Sequence, residues 1–276
     1  GNGSDEVLTL AAATYLRPGE AAVHGEHTFS QYRFATLLFD GLPFAFPMPT
    51  GRVKLDLVTK EVATRNPRIV FLCSPNNPTG TAIGHDEFSR FMKTVELDTL
   101  VVVDHAYQEY VDDPAALDAH ALIDSHPNLL VLRTFSKIFG LATLRVGYGV
   151  GQPALIGQIE RTRSPFNVNG IGQIAATAAL DDRQFVKDSI RTNAEGRRRF
   201  VQYLQNRGYD FWPSQANFLA FETGHEARGL AEACAARGIT VRPLTSFGYP
   251  TALRVTVGLP GEVDRFFHVL DAVTKT

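Results

Sequence analysis

Four short segments of the chain carry side chains that could do chemistry. The most telling is Arg133-Thr134-Phe135-Ser136-Lys137-Ile138-Phe139-Gly140. A lysine crowded by Phe135, Ile138 and Phe139 is partly desolvated, which favours its neutral, nucleophilic form. Ser136 and, a little further on, Arg145 offer a hydroxyl and a guanidinium suited to a phosphate. In Val103-Asp104-His105-Ala106-Tyr107 a carboxylate ends an apolar run, where it can pair with a protonated ring nitrogen, and Tyr107 can reach a neighbouring oxygen. The plainer alternative is that Asp104 caps the next helix. Ser74-Pro75-Asn76-Asn77-Pro78-Thr79-Gly80 is a turn made rigid by its prolines and glycine, with the Asn77 amide at a sheet edge. The chain opens Gly1-Asn2-Gly3-Ser4-Asp5-Glu6, small residues that let backbone approach a ligand. Ser4 or Asp5 can cap the helix that follows, whose first N–H groups would face an anion.

The elements that must position these residues alternate between two patterns. Ile69 to Cys73, Leu100 to Asp104 and Leu129 to Leu132 are continuous apolar runs, as expected of strands covered on both faces. Helical spacing fills the gaps, for example Phe88, Phe91, Met92 and Val95 within Asp86 to Leu97. The alternation predicts an α/β fold with a mostly parallel central sheet and helices on both faces. Each reactive segment then sits at a strand end or a helix start, and open α/β sheets bind ligands beyond the carboxyl ends of their strands. A long polar helix is expected from about Gln184 to Asn206. After it come a strand at Asn217 to Phe221, a helix over Glu226 to Arg237, a strand at Ala252 to Val257 and a final helix from Gly261 to Val273. The division read from this change of pattern is 1–182 for a large domain and 183–276 for a small α+β domain.

Composition narrows the class. Of 276 residues, 44% are hydrophobic and 20% charged, the balance of an ordinary globular protein. A formal net charge of −2 excludes the basic footprint of a general nucleic-acid binder. Two cysteines, Cys73 and Cys234, cannot build a disulfide framework or a multi-cysteine zinc site, so no metal is expected. The chain shows no apolar run long enough to span a bilayer and no signal sequence at its start, so the expectation is a cytoplasmic protein without membrane contact.

Taken together, Asn77, Asp104, Tyr107, Lys137 and Arg145 stand in the order and approximate spacing of fold-type I aminotransferases that use pyridoxal 5'-phosphate. The chain resembles the histidinol-phosphate and aromatic aminotransferase branch of class I/II over essentially its whole length. The opening Gly-Asn-Gly-Ser-Asp-Glu, the Asn-Asn-Pro-Thr-Gly loop, Asp104-x-Ala106-Tyr107 and Thr134-Phe135-Ser136-Lys137 carry the likeness, joined by Val241-Arg242-Pro243 and Leu253-Arg254-Val255. The resemblance implies that Lys137 holds the cofactor covalently and moves the reacting proton. Asp104 would pair with the ring nitrogen, Tyr107 and Asn77 would bond the ring 3-oxygen, and Phe29 would stack on the ring. Gly3, Ser4, Asp5, Thr134, Ser136 and Arg145 would surround the phosphate. Arg254 would grip the substrate anion, with Asn217 nearby and Arg242 as a second contact.

The implied reaction is ping-pong transfer of an amino group between a donor and a 2-oxo acid in a homodimer. Histidinol phosphate with 2-oxoglutarate is the first reading, and an aromatic amino acid is the second. A decarboxylase on the same scaffold and a non-catalytic ligand sensor are the other outcomes, because a fold does not fix a reaction. The sequence departs from the family at His27, where a proline is usual, and at His105, where a glutamate is usual. The family also carries an N-terminal arm ahead of the opening glycines, so the sequence reads as lacking that arm.

Overall fold

Parallel strands need crossover connections, and this chain supplies them mainly as helices. The computed structural model describes residues 1–274. In chain order it contains α1 (Ser4–Tyr15), β1 (Ala21–Gly25), α2 (Gln31–Leu38), β2 (Leu42–Phe46), α3 (Leu55–Arg65), β3 (Ile69–Cys73), α4 (His85–Met92), β4 (Leu100–Asp104) and β5 (Leu129–Thr134). These are followed by β6 (Gly147–Val150), α5 (Pro153–Glu160), α6 (Gly170–Asp181) and the long α7 (Arg183–Arg207). The remainder is β7 (Phe218–Glu222), α8 (Ala227–Ala235), β8 (Arg242–Pro243), β9 (Ala252–Thr256) and α9 (Pro260–Thr274).

The main sheet runs β2-β1-β3-β4-β5-β6, with β1 to β5 parallel and β6 antiparallel to β5. The central strands explain why apolar runs, rather than alternation, marked them in the sequence. Ile69, Phe71, Leu100, Val102, Leu130 and Leu132 pack with α1, α2 and α5 on one face. Val70, Leu72, Val101, Val103, Leu129 and Val131 pack on the other face with α3 and α4 residues such as Val58, Phe88 and Phe91. Successive side chains feed opposite cores, so both must be apolar. The fold class is therefore the α/β arrangement that the sequence predicted. Leaving β1 the chain turns to one flank to form β2, then crosses to the other flank for β3. The carboxyl ends of β1, β3, β4 and β5 consequently open onto one crevice.

Beyond α6 a second, smaller sheet, β7-β9-β8, is wholly antiparallel and shares its own core with α7, α8 and α9 through Phe200, Leu204, Phe221, Leu230, Leu253 and Phe266. The two parts meet along a seam that joins an apolar cluster, Tyr107, Tyr110 and Ile138 against Ala216 and Phe218, with polar links. The half-turn before β7 donates the Gln215 N–H to Gly80 O at 2.7 Å, and Arg197 of α7 pairs with Asp112 at 2.6 Å. The single tryptophan, Trp212, donates from Nε1 to Thr50 O at 3.0 Å.

Several boundaries differ from the sequence expectation. The helix anticipated to Leu97 stops at Met92, and the Thr94 hydroxyl and N–H both turn back to Phe91 O. Val95 is nonetheless buried in the core, which is why its spacing looked helical. The smaller sheet has a third strand, β8, too short for a periodicity to show. Neither Ser4 nor Asp5 caps α1. The cap position is Gly3, at φ 79°, and no side chain bonds the free N–H groups there.

Gly147, at the start of β6, lies against that helix start. A Cβ built on it would lie 2.3 Å from the backbone nitrogen of Ser4, and backbone has no flexible end to yield. Gly147→Ala is expected to displace α1 and to lower stability by about 1–3 kcal/mol, the usual cost of overpacking. Urea unfolding measures this, and an unchanged midpoint would contradict the close approach.

Candidate active site

The crevice at the strand ends deepens into a cavity of about 100 Å³. Its lining includes Ser4, Asp5, Phe29, Asn77, Asp104, Tyr107, Thr134, Ser136, Lys137 and Arg145, together with Cys73 and Ala106. Residues 141 positions apart in sequence thus face one space, because α1 begins there and β3, β4 and β5 end there.

Asp104 ends β4 and is 3% exposed. Burial pushes its carboxyl above the usual range. Opposing this, Oδ2 accepts a hydrogen bond from the Tyr32 hydroxyl at 2.9 Å, Oδ1 accepts the Ala106 N–H at 3.1 Å, and the Lys137 charge attracts it. Asp104 does not cap the next helix: the helical turn Gln108–Tyr110 starts from Tyr107 without a side-chain cap, the bond to Ala106 closes only a local turn, and the carboxylate lines the cavity. Lys137 follows β5, and its ammonium lies 5.3 Å from the centre of the Tyr107 ring. Burial first, and then the charge of Arg254, lower its pKa, against the pull of Asp104 and Asp5. Its neutral form is therefore more accessible than that of a solvated lysine.

At the other end of the cavity Arg145 occupies the left-handed region at φ 54°, unusual for a residue with a side chain. Its Nη2 donates to Asp5 Oδ2 at 2.9 Å, and its Nη1 reaches Ser136 Oγ at 3.5 Å. The Asp5 carboxylate is thus committed to Arg145, and what α1 offers an anion is its uncapped N–H groups. Gly3 does not itself line the cavity; its φ of 79° favours glycine, and a Cβ there would fall 2.3 Å from Arg145 Nη2 and push the guanidinium from its place. Thr134 Oγ1 accepts the Ser136 N–H at 3.1 Å and shapes the turn between them.

Phe29 is half-buried and sets its edge against Tyr32, with ring centres 5.8 Å apart. The Tyr107 hydroxyl has no partner among the described residues, and burial raises its pKa. Arg254, on β9, lies over the Phe218 ring at 4.9 Å and donates to Asn77 Oδ1 across the seam. Asn77 therefore turns its NH2 group, rather than its oxygen, toward other partners. Arg242 stands directly opposite Arg254 in the β8–β9 register, on the same face and exposed to solvent. Neither Arg242 nor Arg254 lines the cavity itself, and Asn217 does not line it either; the Asn217 carbonyl accepts the Val257 N–H at 2.9 Å.

Two residues of the site were missed in the sequence. Cys73 lines the cavity, and burial pushes its thiol up to about 12, so it is an inert wall. Tyr32 is fully buried beneath Asp104. Its position three residues after Phe29, on the inner face of a helix, was the available signal. His105, where the family resemblance leads one to expect glutamate, is wholly buried with neither ring nitrogen bonded. Burial and the nearby Arg133 hold its pKa down to about 3, so it is neutral, and Arg133 pairs instead with Glu109 at 2.7 Å. No helix among the described residues is long and apolar enough to cross a membrane.

Comparison with known proteins agrees with this arrangement. The family described as aminotransferase class I and II matches residues 1–270. A histidinol-phosphate aminotransferase 2 of Nitrosospira multiformis is 41% identical over all of this chain and 70% of its own length. The histidinol-phosphate aminotransferase of Symbiobacterium thermophilum is 41% identical over 99% of this chain and 74% of its own. Among solved structures, the histidinol-phosphate aminotransferase of Sinorhizobium meliloti in complex with pyridoxal-5'-phosphate superposes with a TM-score of 0.91 at 27% identity, covering all of this chain and 76% of that one. On the match across 270 of its residues and on these full-chain identities, the chain belongs to the aminotransferase class I and II family.

Proposed function

We propose that this protein is a pyridoxal 5'-phosphate-dependent aminotransferase that passes an amino group between histidinol phosphate and 2-oxoglutarate. The observation that carries the reading is the convergence of Lys137, Asp104 and Arg145 on one cavity, with Arg254 reaching Asn77 at its edge. The residues fit the cofactor. Arg145, Ser136 and the uncapped N–H groups of α1 suit its phosphate, and the glycine at position 3 leaves room for that approach. Asp104 suits the ring nitrogen, Phe29 a ring face, and Tyr107 with the Asn77 NH2 the ring 3-oxygen.

Once bound, the cofactor supplies an aldehyde that captures amines and a ring that takes up carbanion charge. The chain supplies the rest. Lys137, made readily neutral by its surroundings, would hold the cofactor through its aldehyde, and its Nζ is the group that would move the reacting proton. Asp104 stays charged and orients the ring. Arg254 binds the anionic end of either substrate, and its planar fork matches a carboxylate or a phosphate. Arg242 across the strand pair adds a second positive charge suited to the larger phosphate; two guanidinium groups facing each other repel, and an anion between them relieves that. Relatives with 41% identity that bear the histidinol-phosphate name support this donor. A panel of histidinol phosphate, phenylalanine, tyrosine and aspartate as donors tests it.

The proposed working unit is a cytoplasmic homodimer whose protomer divides at 1–182 and 183–276. Phe166, Ile171 and Ile174 are 98%, 73% and 74% exposed, and Phe34, Leu38 and Leu42 form a second bare apolar set. Large apolar side chains this exposed suit burial against a second copy of the chain. Sedimentation is expected to give a dimer, and an active monomer at dilute concentration would overturn this.

Treatment with pyridoxal 5'-phosphate and borohydride is expected to label Lys137, as read by peptide mapping; label on Lys54 or Lys93 would refute its role. The association rate should rise with pH, because the free amine reacts, with a half-point below the 10.5 of an unperturbed lysine. Arg254→Lys keeps the charge but loses the fork, and is expected to weaken glutamate and histidinol phosphate alike by about ten- to a hundredfold. Measuring each half-reaction separately checks this. Loss confined to glutamate would favour an aromatic amino acid as the native donor.

A further inference from the structure

The buried carboxylate of Asp104 depends on one side chain that no part of the reaction requires directly. Among the described residues, its donors are the Ala106 N–H at 3.1 Å and the Tyr32 hydroxyl at 2.9 Å. The first is backbone and comes with any residue at that turn. The second is a side chain on a different element, α2, 72 residues away in sequence and packed on Phe71 of β3.

Tyr32 is built for one orientation. It is fully buried, its ring stacks on Phe71 with centres 5.3 Å apart and planes 11° apart, and Phe29 meets it edge-on at 5.8 Å. Packing of that kind leaves the hydroxyl little freedom, and a hydroxyl has a single proton to give. Given to Oδ2, it favours the ionised carboxylate, because a hydrogen bond donated to the charged form stabilises that form. We infer that Tyr32 is a positioning residue that keeps Asp104 charged and aims it at the cofactor ring nitrogen, while bracing Phe29 against the ring face. The same side chain thus sets both the edge and the face of the cofactor seat. This rests on the cofactor assignment proposed above.

Tyr32→Phe removes the hydroxyl and keeps the ring. The test compares two probes by equilibrium binding to the whole apoprotein: pyridoxal 5'-phosphate, and its carbocyclic analogue with CH in place of the ring nitrogen. In the wild type, Asp104 should make the first bind more tightly than the second. In Tyr32→Phe, loss of a bond to a charged group should weaken pyridoxal 5'-phosphate by about tenfold, while the analogue, which has no nitrogen for Asp104 to meet, binds as before. Retained analogue binding also shows that the variant is folded. Equal weakening of both probes would make Tyr32 a packing residue only, and no change in either would remove its influence on Asp104. Both results overturn the inference. If the wild type binds neither probe, the cofactor assignment itself fails, an outcome distinct from the other two.

Discussion

A carboxylate removed from water is costly unless hydrogen bonds and opposite charge compensate it. Asp104 sits in that position, at the end of a strand with neighbours on both sides and a core on both faces. Much of the architecture around it answers that cost. The turn after β4 offers the Ala106 N–H, α2 brings in Tyr32, and β5 ends so that Lys137 stands nearby. If β4 were an edge strand, water would stabilise the carboxylate, and its charge would be screened and weak. In the sheet centre the charge is strong and its direction is set by the backbone.

Lys137 completes the same balance from the opposite sign. Its neighbours pull it two ways, with burial and Arg254 against its charge and Asp104 and Asp5 for it. Arg254 belongs to the smaller sheet, so the state of the lysine depends on how the two parts of the chain meet. The seam is mixed: Arg254 to Asn77, Gln215 to Gly80, Arg197 to Asp112 and Trp212 to Thr50 are its polar links, and Tyr107, Tyr110 and Ile138 pack against Ala216 and Phe218 as its apolar one. Such a seam holds the two parts in register, and it places a cation from the smaller sheet at the edge of the cavity.

The phosphate end of the cavity follows a different rule. The geometry there depends on what is absent: no side chain at Gly3, no cap on α1 and no Cβ at Gly147. Each omission leaves backbone N–H groups or a guanidinium unobstructed. The unusual backbone of Arg145 belongs to the same set, since a left-handed residue turns the chain sharply enough to bring its own side chain back to Asp5.

Much of this was legible in the residues alone. The apolar runs at β3, β4 and β5 identified the central strands because burial on both faces leaves no choice of residue, and strand-end chemistry followed from the parallel sheet. Glycines, prolines and ionisable side chains at the strand ends read singly as turns, caps or surface charges, and marked the cavity lining only through the order that the family resemblance supplied. Other features had no local signature. β8 is two residues long, α4 ends where a threonine turns back on the backbone, and Tyr32 looked like any aromatic on an amphipathic helix. Nor did the sequence distinguish an Asp5 that caps a helix from one that pairs with Arg145. Composition and periodicity report burial, which each residue settles largely on its own. Hydrogen-bond partners 72 or 140 residues away are settled only when crossovers and the seam bring them together.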